Sequence, residues 1–217
     1  VLIRSVNCHG FTLLELMIAL ALGSMVIGSL GAFFVQLERS TQSQQRQLQL
    51  HQQTQSILTT ISQELGRAGY QRHTGGVATF LGSQRSVKVS SQGDELGIVY
   101  QLPNSQSSPD YVHLVYRYQA SDQQLVLCDH LASSRLSFRD VRRSTRSTPC
   151  YQVVDTQQYR ITHWQVTSQL YRSAVGSVIQ QVAIETTLQE SGDDGRTESQ
   201  RMTRLVINGG NGGSDEP

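Results

Sequence analysis

Gly10-Phe11-Thr12-Leu13-Leu14-Glu15-Leu16-Met17-Ile18 opens a long apolar run in which Glu15 is the only charge before Glu38. From Leu16 to Val35 there are twenty uncharged residues, and Arg4 is the only charge before the run. A carboxylate inside hydrocarbon costs roughly 2.5–3.5 kcal/mol at a helix centre and less near an end. Ordinary anchors avoid that cost, so an acid at this position marks a function and calls for a named partner.

The run is long enough to matter. Twenty helical residues at 1.5 Å rise cover about 30 Å, the thickness of a bilayer core. The positive-inside rule places the first ten residues in the cytoplasm and everything after the span outside. A cleaved secretory signal would have an apolar region of about 7–15 residues ending at a small-residue site. Here the run is longer, and the plausible cut precedes it.

The helix continues past the membrane edge. Between Gln36 and Arg67 there is no Pro, and no Gly before Gly66. Leu50, Thr54, Ile57, Leu58, Ile61, Leu65 and Ala68 recur at three- and four-residue steps, tracing one face of an amphipathic helix. Gly66 and Gly69 supply a stop signal. The pattern predicts one helix of some 55 residues, with 11–37 as a transmembrane half and 38–70 as an amphipathic half. Ala21, Ser24, Gly28, Gly31 and Ala32 form a small-residue stripe in the first half, of the kind that lets neighbouring helices approach closely in lipid.

After Gly76 the character changes. Short β-prone runs alternate with turn signals at Val77–Leu81, Ser86–Ser90, Leu96–Leu102, Tyr111–Tyr118, Gln124–Cys128, Tyr151–Val154, Tyr159–Tyr171, Val178–Leu188 and Arg201–Ile207. The last two flank Ser191-Gly192-Asp193-Asp194-Gly195, a loop with Asp-Gly turn chemistry that predicts a long hairpin. Residues 71–207 thus form an antiparallel β-rich domain, and the Gly-rich tail Asn208–Pro217 is expected to be disordered. The fold class is α+β: one long helix laid on an antiparallel sheet.

The Gly10/Phe11 junction and Glu15, with this architecture, resemble the type IV pilin superfamily. Gln63-Glu64-Leu65-Gly66-Arg67-Ala68-Gly69-Tyr70 looks like the segment that ends the long helix in PilW-type minor pilins and in the related J-type pseudopilins of type II secretion. Many major pilins carry a Pro where Ala32 stands, and its absence here argues against partial melting of this helix in a fibre. The chain is also longer than most major pilins, which favours a low-copy minor subunit. The resemblance implies a leader over 1–10 that a prepilin peptidase removes after Gly10, followed by N-methylation of Phe11. It also implies that Glu15 neutralises the N-terminal ammonium of an adjacent subunit during assembly. Implied partners are the prepilin peptidase, other minor and major pilins, the inner-membrane assembly platform and, before assembly, the lipid bilayer. The implied location is the inner membrane, with the C-terminal domain periplasmic, and then the fibre.

Of the three cysteines, Cys8 lies in the leader and would be lost on processing. Cys128 and Cys150 remain as an even pair in an oxidising compartment, which predicts a disulfide, with two unpaired buried thiols as the alternative. Cys128-Asp129-His130 has no second ligand pair at zinc spacing, and no metal is assigned.

Nothing else reads as chemistry. The formal charge of +1 and pI near 7.9 carry no electrostatic argument for nucleic acid. Arg135, Arg139, Arg142, Arg143 and Arg146 form a basic stretch, read as a solvated loop near Cys150 rather than a DNA contact. His113 and His163 fall in strands as ordinary surface or core residues. Asp193, Asp194 and Glu198 lack EF-hand spacing. With no nucleophile elbow, phosphate loop or paired His/carboxylate motif, no catalytic residue and no cofactor are assigned. The function expected is that of a minor pilin in a priming or tip complex. The alternatives are a J-type pseudopilin and, from another class, a tip adhesin or DNA-uptake subunit.

Overall fold

A computed structural model describes residues 12–72, 76–102, 111–146, 148–172, 178–192 and 195–207. Helix α1 runs Leu13–Arg67, 55 residues. Eight strands follow, with a short helix among them. They are β1 (Val87–Val89), β2 (Glu95–Gln101), β3 (Tyr111–Gln119), β4 (Gln124–Ala132), α2 (Phe138–Val141), β5 (Tyr151–Gln152), β6 (Tyr159–Arg172), β7 (Val178–Glu190) and β8 (Thr197–Val206). The chain divides between Arg46 and Gln47 into two compact units.

In the first unit every described residue is exposed, including the large apolar side chains from Leu13 to Leu37. The second half of α1 behaves differently. Leu50, Thr54, Ile57, Leu58, Ile61 and Leu65 are buried, following the spacing of the apolar stripe. Thr54, the polar member of the stripe, is satisfied by donating to the Leu50 carbonyl at 2.8 Å. Gly66 still lies within the helix; the stop falls to Gly69, whose φ of 78° only glycine adopts without strain.

The strands form two antiparallel sheets, ordered β1-β2-β3-β4-β5 and β6-β7-β8. A single sheet was the simpler expectation, and residue alternation does not encode where one sheet ends. Backbone hydrogen bonds join them, alongside side-chain bonds from Tyr118 to the Ile161 carbonyl and from Gln180 to the Val87 carbonyl. The Val166 N–H donates to the Gly93 carbonyl and the Ile161 N–H to the Gln123 carbonyl, each at 2.8 Å. Gly93 has φ +76°, and a Cβ there would lie 2.0 Å from Gln165 Nε2 and 2.6 Å from the Val166 carbonyl oxygen. Only a residue without a side chain lets the β1–β2 turn reach β6 this closely.

The main core lies where the buried face of α1 meets both sheets, with Leu96, Ile98, Tyr116, Leu125, Ile161, Val182, Ile184 and Leu188 among its members. A smaller cluster of Phe80, Val99, Val115 and Val141 covers the opposite face of the five-stranded sheet. Strand β2 therefore contributes to both, which explains why its sequence is almost continuously buried. Strand β8 runs along α1, with His51 Nδ1 lying 2.8 Å from Glu198 Oε1 near one end. Near the other end, Arg204 Nη2 would lie 3.1 Å from a Cβ on Gly66.

Two expectations require correction. Val77–Leu81 is not a strand: Ala78, Phe80 and Leu81 donate to the Gly69, Arg85 and Leu136 carbonyls, three separate loops, so no ladder forms. Its apolar character serves burial of Phe80 instead. The arginine stretch is not a wholly solvated loop. It contains α2, capped by Ser137, with Val141 fully buried. The β7–β8 hairpin is present, with Gln189 paired to Thr197. Asp193 and Asp194 of its loop, like the tail 208–217, lie outside the described residues.

Candidate functional site

The N-terminal end of α1 shows what Glu15 does within a single chain. Thr12 precedes the first helical residue, and its Oγ1 accepts the Glu15 N–H at 3.3 Å. The Glu15 carboxylate reaches back, accepting the Thr12 N–H at 3.3 Å and the Thr12 hydroxyl at 3.5 Å. This reciprocal pair is a capping box, satisfying two of the amides that a helix start leaves open. Its sequence signature is the Thr-x-x-Glu spacing of residues 12–15. The contacts are long and the side chains exposed, so the carboxylate remains available to a cation from outside. Gly10 and Phe11, the residues of the expected cut, lie outside the described residues.

Further along, α1 is the one described helix long and apolar enough to cross a membrane. The two serines of the span are satisfied internally: Ser24 Oγ donates to the Ala21 carbonyl and Ser29 Oγ to the Val26 carbonyl, each at 2.8 Å. Ala21, Ser24, Gly28, Gly31 and Ala32 are all exposed, and a Cβ on Gly28 or Gly31 would meet nothing within 4 Å. This stripe is thus open to a neighbouring helix.

Cys128 and Cys150 are joined as a disulfide, with Cα atoms 4.2 Å apart. Leu127 pairs with Tyr151 in the β4–β5 ladder, so Cys150, the residue just before β5, follows on opposite Cys128 of β4. The bond closes the excursion from β4 to β5 that carries α2. Around it, the buried Glu95 carboxylate takes Arg142 Nη1 at 3.2 Å, and Arg135 Nη1 donates to Thr79 Oγ1 at 3.1 Å. His113, fully buried, accepts the Leu136 N–H on Nε2 at 3.0 Å. Burial pushes the His113 pKa down to about 4, keeping the ring neutral. His113 is thus a core residue holding the excursion down, while His163 is exposed. Among the described residues, no cluster of His, Cys, Asp and Glu is arranged to hold a metal.

A long apolar N-terminal helix whose second half packs on antiparallel sheets, opened by a methylation-type junction, defines a type IV pilin-like protein. The prokaryotic N-terminal methylation motif matches residues 6–31, and the family described as prepilin peptidase-dependent protein B matches residues 43–206. With most of its length covered, the chain belongs to the prepilin peptidase-dependent protein B family. It is a structural family, not a catalytic one, and its members depend on prepilin peptidase. No curated protein and no solved structure matches the chain.

Proposed function

We propose that this protein is a PilW-type minor pilin, cut after Gly10, methylated on Phe11 and built into a type IV pilus as part of its priming or tip complex. Residues 1–10 act as the leader and 11–37 as the span and polymerisation segment, with the C-terminal domain in the periplasm until the assembly platform extracts the subunit. The observation that carries this reading is the exposed, membrane-length half of α1 with Glu15 near its start. A membrane-length apolar helix whose described residues are all exposed, with one acid beside the future N-terminus, suits docking against other subunits.

The long contacts of the Glu15 cap support an assembly role for this carboxylate. Cleavage would create an ammonium on Phe11, next to Thr12. In a fibre the carboxylate turns from the long Thr12 contacts to a neighbour's ammonium. In a low dielectric, removing one member of such a pair leaves a charge costing about 3–5 kcal/mol. The small-residue stripe lets the helices approach closely enough for that pairing.

The test is Glu15→Val in cells carrying the rest of the pilus machinery. Mass spectrometry of the variant should find the N-terminus cut at Phe11, while sheared fibres should lack it and pilus number should fall. Wild-type incorporation of the variant would refute the pairing role.

A further inference from the structure

Between Ser133 and Pro149 the chain carries five arginines against one acid, Asp140, although the whole protein has a formal charge of only +1. These cations are not equivalent. Arg142 is held by Glu95 and Arg135 by Thr79, while Asp140 accepts the Ser137 hydroxyl at 2.6 Å. Among the described residues, the side chain of Arg139 has no polar partner, and neither has that of Lys88, the only lysine in the chain. Lys88 pairs in register with Gly97, and the Phe138 ring lies directly over that glycine. Lys88 and Arg139 thus meet at one depression of about 280 Å³ between α2 and β1, lined also by Leu81 and Phe138.

We propose that this depression is a docking site for a carboxylate-bearing segment of a neighbouring protein subunit, with Lys88 and Arg139 as its charge receptors. A guanidinium offers a carboxylate two parallel donors, and a lysine adds a point charge from the other side. Leu81, more than half exposed, and the edge of Phe138 provide apolar surface for the aliphatic stem of a Glu or Asp side chain. A nucleic acid strand fits less well. Strands of that kind are held by open aromatic faces along a cationic groove. Here Phe80 is buried, and Phe138 packs edge-on against it with centroids 5.7 Å apart. The disulfide, the buried Val141 and the Glu95–Arg142 pair hold α2 in place, so the receptor is formed before the partner arrives.

The identity of the partner as another pilus subunit rests on the reading above, but binding itself requires neither processing nor assembly. The experiment therefore uses the full chain in detergent micelles, titrated into fluorescently labelled hexaglutamate and into a single-stranded oligonucleotide of matching charge. Hexaglutamate should bind saturably and weaken at least tenfold in Lys88→Gln/Arg139→Gln. Arg160→Gln, an exposed arginine on β6, should leave it unchanged. Lys88→Arg/Arg139→Lys keeps both charges and should retain binding, which guards against a fold defect in the glutamine pair. Absence of hexaglutamate binding, equal loss in Arg160→Gln, or wild-type affinity in Lys88→Gln/Arg139→Gln would each overturn the proposal. Tighter binding of the oligonucleotide through the same two residues would reassign the site to nucleic acid. Failure here leaves the Glu15 test untouched, and the reverse holds as well.

Discussion

The ring of Phe138 occupies the space in which a side chain on Gly97 would stand: a Cβ there would lie 2.5 Å from Phe138 Cε2. The bare backbone of β2 is what lets α2 settle on the outer face of the five-stranded sheet and bury Val141. This contact predicts that Gly97→Ala forces α2 outward and destabilises the domain by about 1–3 kcal/mol, the usual cost of overpacking. Urea unfolding of the full chain measures it. In a Phe138→Ala background the same substitution should cost much less, and an equal cost in both backgrounds would remove the contact as the cause.

The bond between Cys128 and Cys150 spans 22 residues of sequence. By loop entropy, closing a loop of that length stabilises by roughly 3 kcal/mol. Replacing both cysteines by serine should lower the unfolding free energy by about that amount, with the excursion becoming the first segment to exchange its amide protons. Non-reducing mass mapping of periplasmic material should find the two cysteines joined, and free thiols there would contradict the bridge.

His113 makes stability depend on acid. Its pKa falls from 6.5 to about 4 because the folded protein buries it, with the Phe80 and Tyr111 rings and His130 as its neighbours. Between those two values the unfolded chain binds a proton that the folded chain refuses. Stability is thus present in full above pH 6.5 and declines as pH falls toward 4, by a total on the order of 3 kcal/mol. Urea midpoints measured across that window should fall with acid, and His113→Asn should flatten the slope by about one proton. An unchanged slope in the variant would mean that other groups carry it.

Gly10→Phe addresses the leader. A side chain before the cut should block the peptidase, leaving an uncleaved precursor in the membrane that immunoblotting separates from the shorter mature chain. Normal processing of this variant would count against the cleavage assignment at Gly10 and Phe11.

The long helix was legible because its signals are local. Leu50, Ile57, Ile61 and Leu65 repeat at the helical period, no Pro interrupts them, and the stop falls where Gly69 takes a positive φ. Strand positions were legible for the same reason, except at 77–81, where apolar residues serve burial rather than a ladder. The cysteine pair could be inferred from compartment and parity alone. The capping box at Thr12 and Glu15 is equally local, set by the three-residue spacing of its two side chains.

Period and punctuation act between residues a few positions apart, and so the linear chain already specified the helix, the membrane-length span, the acid near its start and the staple joining Cys128 to Cys150. The division into two sheets, the sealing of α2 over Gly97, and the burial of Glu95 against Arg142 while Arg139 stays free come from contacts between distant segments. Pairing partners 40 or more residues apart are selected by packing and backbone hydrogen bonds, as between Gly93 and Val166 or Glu95 and Arg142. No local pattern carries that information, so those features appeared only once the chain was folded.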